Sequence, residues 1–338
     1  MRLVIGSIVA GMLLAACLPE TGNPLKAGQD RSRNRAPVRV GLVLSHFGLG
    51  DQSFNDMQYN GLIEAWRRHE IEATFCVPES ASTRDIRRAF EKLLHEEMCN
   101  LIIVGEAWLM KETVIELSGK NMSTDFIVFD YHILDRPNII TALFAQEEGS
   151  YSAGYLAARV SRSGRIGFIG GVDVPIVKEF ETGFLRGARR ARPDIRLEST
   201  YISRLPDFSG FVSPKKGHDH AVSMFDSGVD IIFSVAGTTG NGVIQAARER
   251  KRHVIGVDSN QDHLAPGTVL TSMMKRLDRA IVSLVAQKVA GTLRGGIHHF
   301  SYANGGISLT EMEFTRTNIS PLILADLRRI EHELGAGE

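Results

Sequence analysis

The sequence is short of cysteine, tryptophan and net charge. Its 338 residues hold three cysteines and two tryptophans, and 39 Lys plus Arg stand against 39 Asp plus Glu. Balanced charge without a long basic block removes the electrostatic footprint that nucleic-acid binding requires, so nucleic acid is not an expected partner. HExxH, paired CxxC and the GxSxG elbow are also missing, and no carboxylate cluster stands ready to hold a metal or activate a water. The expectation is a protein that is not an enzyme, with no cofactor and no metal. Eleven histidines are present, and the "HDH" at 218–220 reads as a solvated loop or helix start. What is there is globular: 43% hydrophobic and 23% charged residues, over a length sufficient for two domains.

At the N-terminus Arg2 is followed by the uncharged run "LVIGSIVAGMLL" and then by "LAAC", Leu14 to Cys17. A run of about 12 residues is too short to span a bilayer, which needs roughly 20. It reads as a signal peptide, residues 1–16, and the small residues before Cys17 resemble a bacterial lipobox. That resemblance implies cleavage before Cys17 and acylation of its sulfur and amino group, which gives a membrane-anchored rather than membrane-spanning protein. Leu18 follows the cysteine rather than Asp, so in a two-membrane bacterium the expected address is the outer membrane, and in a one-membrane host the cell surface. Residues 17–37, rich in Pro, Gly, Asn and charge, read as a flexible tether.

Beyond the tether, short apolar runs alternate with helical patterns: "VRVGLVL", "IEATFCV", "NLIIVG", "DFIVFD" and "IITALFA" in a first set, then "RIGFIGG", "RLESTYIS", "DIIFSVAG" and "HVIGVD" in a second. Strand and helix in repeated alternation predict two doubly wound α/β lobes. The later runs "VLTSMM" and "GGISLTEMEF" predict elements that shuttle between lobes of a hinged binding fold. The expected division is 38–145 plus 272–298 for the N-terminal lobe, and 146–271 plus 299–338 for the C-terminal lobe. Cys76 and Cys99 are expected at opposite edges of a parallel sheet, as unpaired packed thiols.

Open parallel sheets collect ligands outside the carboxyl ends of their strands, so the residues just after each strand are the candidates. After the first strand, Ser53 is placed to cap a helix with Asp56 three residues on. Phe54 can stack on a flat ligand there, and Asn55 offers a donor and an acceptor. "GEAWLMKET" presents Trp108 and Glu112. Phe180 and Phe184 lie four apart on one helix, so one at most points into a cleft. Gly237 opens "GTTGNG", which is neither a dinucleotide fingerprint nor a P-loop. Asp258, directly after a strand, and Lys275 suit a carboxylate and ammonium that hold vicinal hydroxyls.

Together, "DQSFN", "EEGSYSAGYLAA", "GRIGFIGGVDVPIVKEFETGF", "AGTTGNGVIQAA", "IGVDSNQ" and "LTSMMK" resemble the basic membrane protein family of ABC-transporter substrate-binding lipoproteins. The resemblance covers about residues 38 to 290. It implies the class I periplasmic-binding-protein fold, two Rossmann-like lobes joined by three crossovers, and a small-molecule ligand, a purine nucleoside above all, with riboflavin or another heterocycle as the alternative. It further implies partnership with an ABC permease and ATPase; a surface sensor or adhesin that has lost transport is the competing role, and a monomer is expected. Phe54 and Phe180 are similar to the aromatics that stack on the base, Asn55 to a base-edge contact, Asp258 and Lys275 to the pair that holds the ribose, and Gly237 to a backbone contact. Two positions depart from the pattern. Ser45 stands where the family usually writes Asp, and Glu112 where many nucleoside binders carry a base-contacting Asp.

Overall fold

The computed structural model describes residues 37–133 and 135–337, so the expected leader 1–16, Cys17 and the tether as far as residue 36 lie outside the described residues. From Val38 the chain runs β1 (Val38–Val43), α1 (Phe54–Arg68), β2 (Ile71–Cys76), α2 (Thr83–Glu91), β3 (Leu101–Val104), α3 (Ala107–Lys120), β4 (Asp125–Phe129) and β5 (Ile139–Phe144). The alternation recurs in α4 (Gln146–Val160), β6 (Arg165–Asp173), α5 (Pro175–Ala191), β7 (Arg196–Arg204), α6 (Pro214–Asp226), β8 (Ile231–Val235), α7 (Thr239–Arg250) and β9 (His253–Asp258). The closing elements are β10 (Val269–Lys275), α8 (Leu277–Ala290), β11 (Gly296–Phe300), β12 (Ile307–Leu309) and α9 (Pro321–Ala336).

These strands build two sheets, ordered β11-β5-β4-β3-β1-β2 and β12-β10-β9-β8-β6-β7. Every pairing is parallel except β10 with β12. Parallel strands with helices on both faces are buried on both sides, which is why β3 reads "LIIV" and β8 "IIFSV" without polar alternation, and all of these residues are buried. β7 lies at a sheet edge and carries Arg196, Glu198 and Arg204, charges that discourage pairing with another chain.

The chain passes between lobes three times: at Ala145 between β5 and α4, at Arg276 between β10 and α8, and over 301–306 between β11 and β12. This is the two-lobed, three-crossover architecture the resemblance implies. The division expected near residue 272 is corrected. β10 pairs with β9 as far as Met274 opposite Asp258, so residues 272–275 stay in the second sheet and the chain leaves it only after Lys275. α8 then packs on α1, and Gly61 leaves room for it, because a Cβ there would lie 2.7 Å from Asp278 Cα. The return crossing is likewise later than 298, since β11 pairs with β5 through Phe300.

α4 and α5 cross at backbone contact. A Cβ on Gly154 would fall 1.9 Å from the Phe184 carbonyl oxygen, and one on Gly187 1.8 Å from that of Tyr151, so glycine permits an approach no other residue allows. Cys76, the last residue of β2, and Cys99, two residues before β3, are free and buried, and burial pushes their thiols up to about 11 and about 12. The 218–220 motif lies within α6, where His218 Nε2 is 2.8 Å from Glu249 Oε2.

Candidate functional site

The carboxyl ends of the two sheets face one another, and between them lies a cavity with about 900 Å³ free of protein atoms, part of it continuous with solvent. Each sheet reverses its winding at one point, between β1 and β3 in the first and between β6 and β8 in the second, which is where loops part and a crevice opens. Ser45, Phe54, Asn55 and Trp108 line the cavity from the first lobe, and Phe180, Gly237, Asp258 and Lys275 from the second. Glu112 does not. It stands on the outer side of α3, with its side chain 75% exposed and 3.8 Å from Lys111.

Lys275 is the centre of the aromatic part. Its ammonium lies 5.7 Å from the Phe54 ring, 5.6 Å from Phe180 and 5.2 Å from Phe144, a cation ringed by three π faces. Of the two phenylalanines on α5, Phe180 faces the cavity, while Phe184 is fully buried with its ring 5.2 Å from Phe233.

Lys275 takes its ion-pair partner from the first lobe. Its Nζ donates to Asp130 Oδ2 at 2.6 Å, joining the second lobe to the first with both side chains more than nine-tenths buried. Asp130 follows β4 directly, and Asp258 is the last residue of β9. Both adopt left-handed backbone (φ 62° and 64°), a conformation that Asp tolerates better than most residues. Asp258 Oδ2 accepts from Ser53 Oγ at 2.7 Å. Burial raises the Asp258 carboxyl to about 6, opposed by the nearby Lys275 charge and the Ser53 hydrogen bond.

The first turn of α1 is capped by a residue that sequence reasoning passed over. Asp51 accepts from the backbone N–H of Ser53 (2.9 Å), Asn55 (2.8 Å) and Asp56 (3.1 Å), satisfying donors that a helix start leaves open. Ser53 keeps the cap position but makes no side-chain cap, because its hydroxyl is spent on Asp258. Asp56 instead accepts from Gly50 N and Gln52 N, both at 2.8 Å. Asn55 Nδ2 donates to Asp51 Oδ2 (3.1 Å) and its Oδ1 accepts from Ser45 N (3.3 Å), which orients the amide and leaves one N–H and one lone pair for a ligand.

At the β1–β3 reversal the polar groups are unpartnered. Ser45 is fully buried and its hydroxyl has no hydrogen-bond partner. Glu106, the residue before α3, lines the cavity, makes no side-chain cap and is raised to about 7 by burial and then by the Asp51 charge. Asp51, Glu106 and Asp130 were missed, although Glu106 and Asp130 sit where the strand-end rule looks.

The lobes also meet outside the cavity floor. Gln261 Nε2 (3.1 Å) and Ser259 Oγ donate to the Gln52 carbonyl, and Trp108 packs on Phe208 with ring centroids 5.0 Å apart. Among the described residues no group of His, Cys, Asp and Glu has the arrangement to hold a metal, and no helix is long and apolar enough to cross a membrane.

Comparison with known proteins gives a family and a shared fold. Residues 38–325 match the family model described as ABC transporter substrate-binding protein, PnrA-like (Bmp). Basic membrane protein D of Borreliella burgdorferi is 31% identical over 82% of each chain. The ABC transporter nucleoside-binding protein BmpA of Lactococcus lactis is 26% identical over 81% of this chain and 82% of that one. A solute-binding protein of an Aeropyrum pernix ABC transporter shares the fold with a TM-score of 0.79 at 22% identity, covering 89% of this chain and 92% of its own.

Proposed function

The chain belongs to the PnrA-like family of ABC transporter substrate-binding proteins, and from that premise we propose that it is a lipid-anchored receptor that captures a nucleoside, a purine nucleoside first, between its lobes and presents it to a permease and its ATPase. The observation that carries the ligand class is the meeting of Phe54 and Phe180 from opposite lobes in one cavity beside Lys275, Asp130 and Asp258. Two aromatic faces suit a flat ring, and carboxylates beside an ammonium suit the hydroxyls of a sugar. The nucleoside-binding name of the Lactococcus lactis relative supports the same class. Anchoring runs through Cys17 in this reading, outside a cell membrane.

Native mass spectrometry of the protein isolated without denaturation tests the ligand class. A retained mass in the nucleoside range, lost in Phe54→Ala, supports it; a retained flavin or sugar contradicts it. Radiolabelled palmitate incorporated by the wild type and not by Cys17→Ala tests the anchor.

A further inference from the structure

The Ser45 hydroxyl and the Glu106 carboxylate both belong to residues that line the cavity at the ends of neighbouring strands. β1 and β3 are in register at Val43 and Val104, and Gly105 N–H continues the ladder to the Val43 carbonyl at 2.8 Å. Two residues beyond that register the chain reaches Ser45 from β1 and Glu106 from β3, both lining the cavity where the sheet's winding reverses. The Ser45 hydroxyl is sealed from solvent and unpaired. Among the described residues the Glu106 carboxylate makes no hydrogen bond or ion pair.

The other acidic groups of the cavity are already engaged. Asp51 holds the α1 turn, Asp258 holds Ser53, and one oxygen of Asp130 holds Lys275. The sealed Ser45 hydroxyl costs free energy that a ligand can recover, and the half-buried Glu106 carboxylate on the cavity wall is met best by a ligand that aims a donor at it.

We propose that Glu106, with Ser45 beside it, reads the edge of the bound heterocycle and selects rings that present an N–H donor there. The ligand class this favours is a 6-oxopurine nucleoside, whose ring N1 carries hydrogen, over a 6-aminopurine, whose N1 is an acceptor and meets the carboxylate lone pair to lone pair. The inference rests on the nucleoside reading given above and goes further, to the side chain that chooses among bases. Asn55, oriented by Asp51 and the Ser45 N–H, supplies a second edge contact that does not distinguish the two rings, because its amide offers both a donor and an acceptor.

The test is calorimetric titration of the wild type, Glu106→Gln and Glu106→Met with inosine, 1-methylinosine and adenosine at about pH 7.5, where inosine keeps its N1 proton. All three share one ribose, so ribose contacts cancel in the comparison. The wild type is expected to prefer inosine to both other ligands by about tenfold or more, as a site built for a hydrogen bond rejects partners that cannot make it. Glu106→Gln keeps an acceptor of the same length and retains part of the preference, and Glu106→Met abolishes it while the unfolding midpoint stays within a few degrees of wild type. Binding of all three nucleosides with equal affinity, or a preference unchanged in Glu106→Met, overturns the inference and leaves the nucleoside reading standing. Failure of all three to bind overturns the nucleoside reading itself.

Discussion

Ser53 of the first lobe donates its hydroxyl to Asp258 of the second across 2.7 Å, although 205 positions separate them in the chain. The bond places Asp258 in two roles. It faces the cavity, where a sugar hydroxyl can reach it, and it fastens the loop before α1 to the end of β9. With Lys275 on Asp130 and Gln261 on the Gln52 carbonyl, it holds the lobes closed over the cavity.

Asp258 makes the stability of the unliganded protein depend on pH. Its carboxyl is raised to about 6 in the folded state by burial, against about 3.9 in an unfolded chain. Between those values the folded state holds a proton that the unfolded state has lost, so this group's contribution is full below pH 4 and disappears as pH rises through 6. Thermal unfolding of wild type and Asp258→Asn from pH 4 to 7 is expected to show the wild type losing stability relative to the variant, on the order of 3 kcal/mol across the window. A constant difference contradicts this.

Lys275→Met is expected to destabilise by about 3–5 kcal/mol, because it strands the Asp130 carboxylate in a buried site. Adding Asp130→Asn is expected to restore much of the loss. Chemical unfolding of the two single variants and the double variant measures the coupling, and additive losses refute the pair.

Gly187→Ala is expected to lower stability by about 1–3 kcal/mol through overpacking, since its new methyl collides with the Tyr151 carbonyl where α4 and α5 cross. Gly187 lies inside α5 and not among the positive-φ glycines, so the loss reports the collision and not backbone strain. Melting curves in which Gly187→Ala matches wild type exclude the close crossing.

The legible part of the site follows one rule. Phe54, Asn55, Phe180, Gly237 and Asp258 were found because each lies at the end of a strand, in the loop after it or in the first two turns of the helix that follows, and apolar runs reveal where strands end. Glu112 stands at the same helical position in α3 as Phe180 in α5, but the buried face of α3 runs through Met110, Thr113 and Val114 and leaves Glu112 on the solvent side, a rotation that spacing after the strand does not give. The local spacing of Ser53 and Asp56 fits a capping box, but the Ser53 hydroxyl takes an acceptor from the other lobe, and no local pattern encodes such a distant partner. The lobe boundary slipped for a related reason. "VLTSMMK" predicts a strand but not which sheet it joins, and that is decided by its pairing with β9. Glu106 was overlooked between the more conspicuous Trp108 and the strand it follows.

Stacking between the lobes is the central claim, and calorimetric titration of ligand-free wild type and Phe54→Ala with a panel of nucleosides, free bases and riboflavin tests it most directly. The account predicts a nucleoside bound more tightly than about 0.1 mM, roughly 5 kcal/mol, and weakened about tenfold or more when the Phe54 ring is removed. Nucleosides that all bind more weakly than that limit, or an affinity indifferent to Phe54, contradict it.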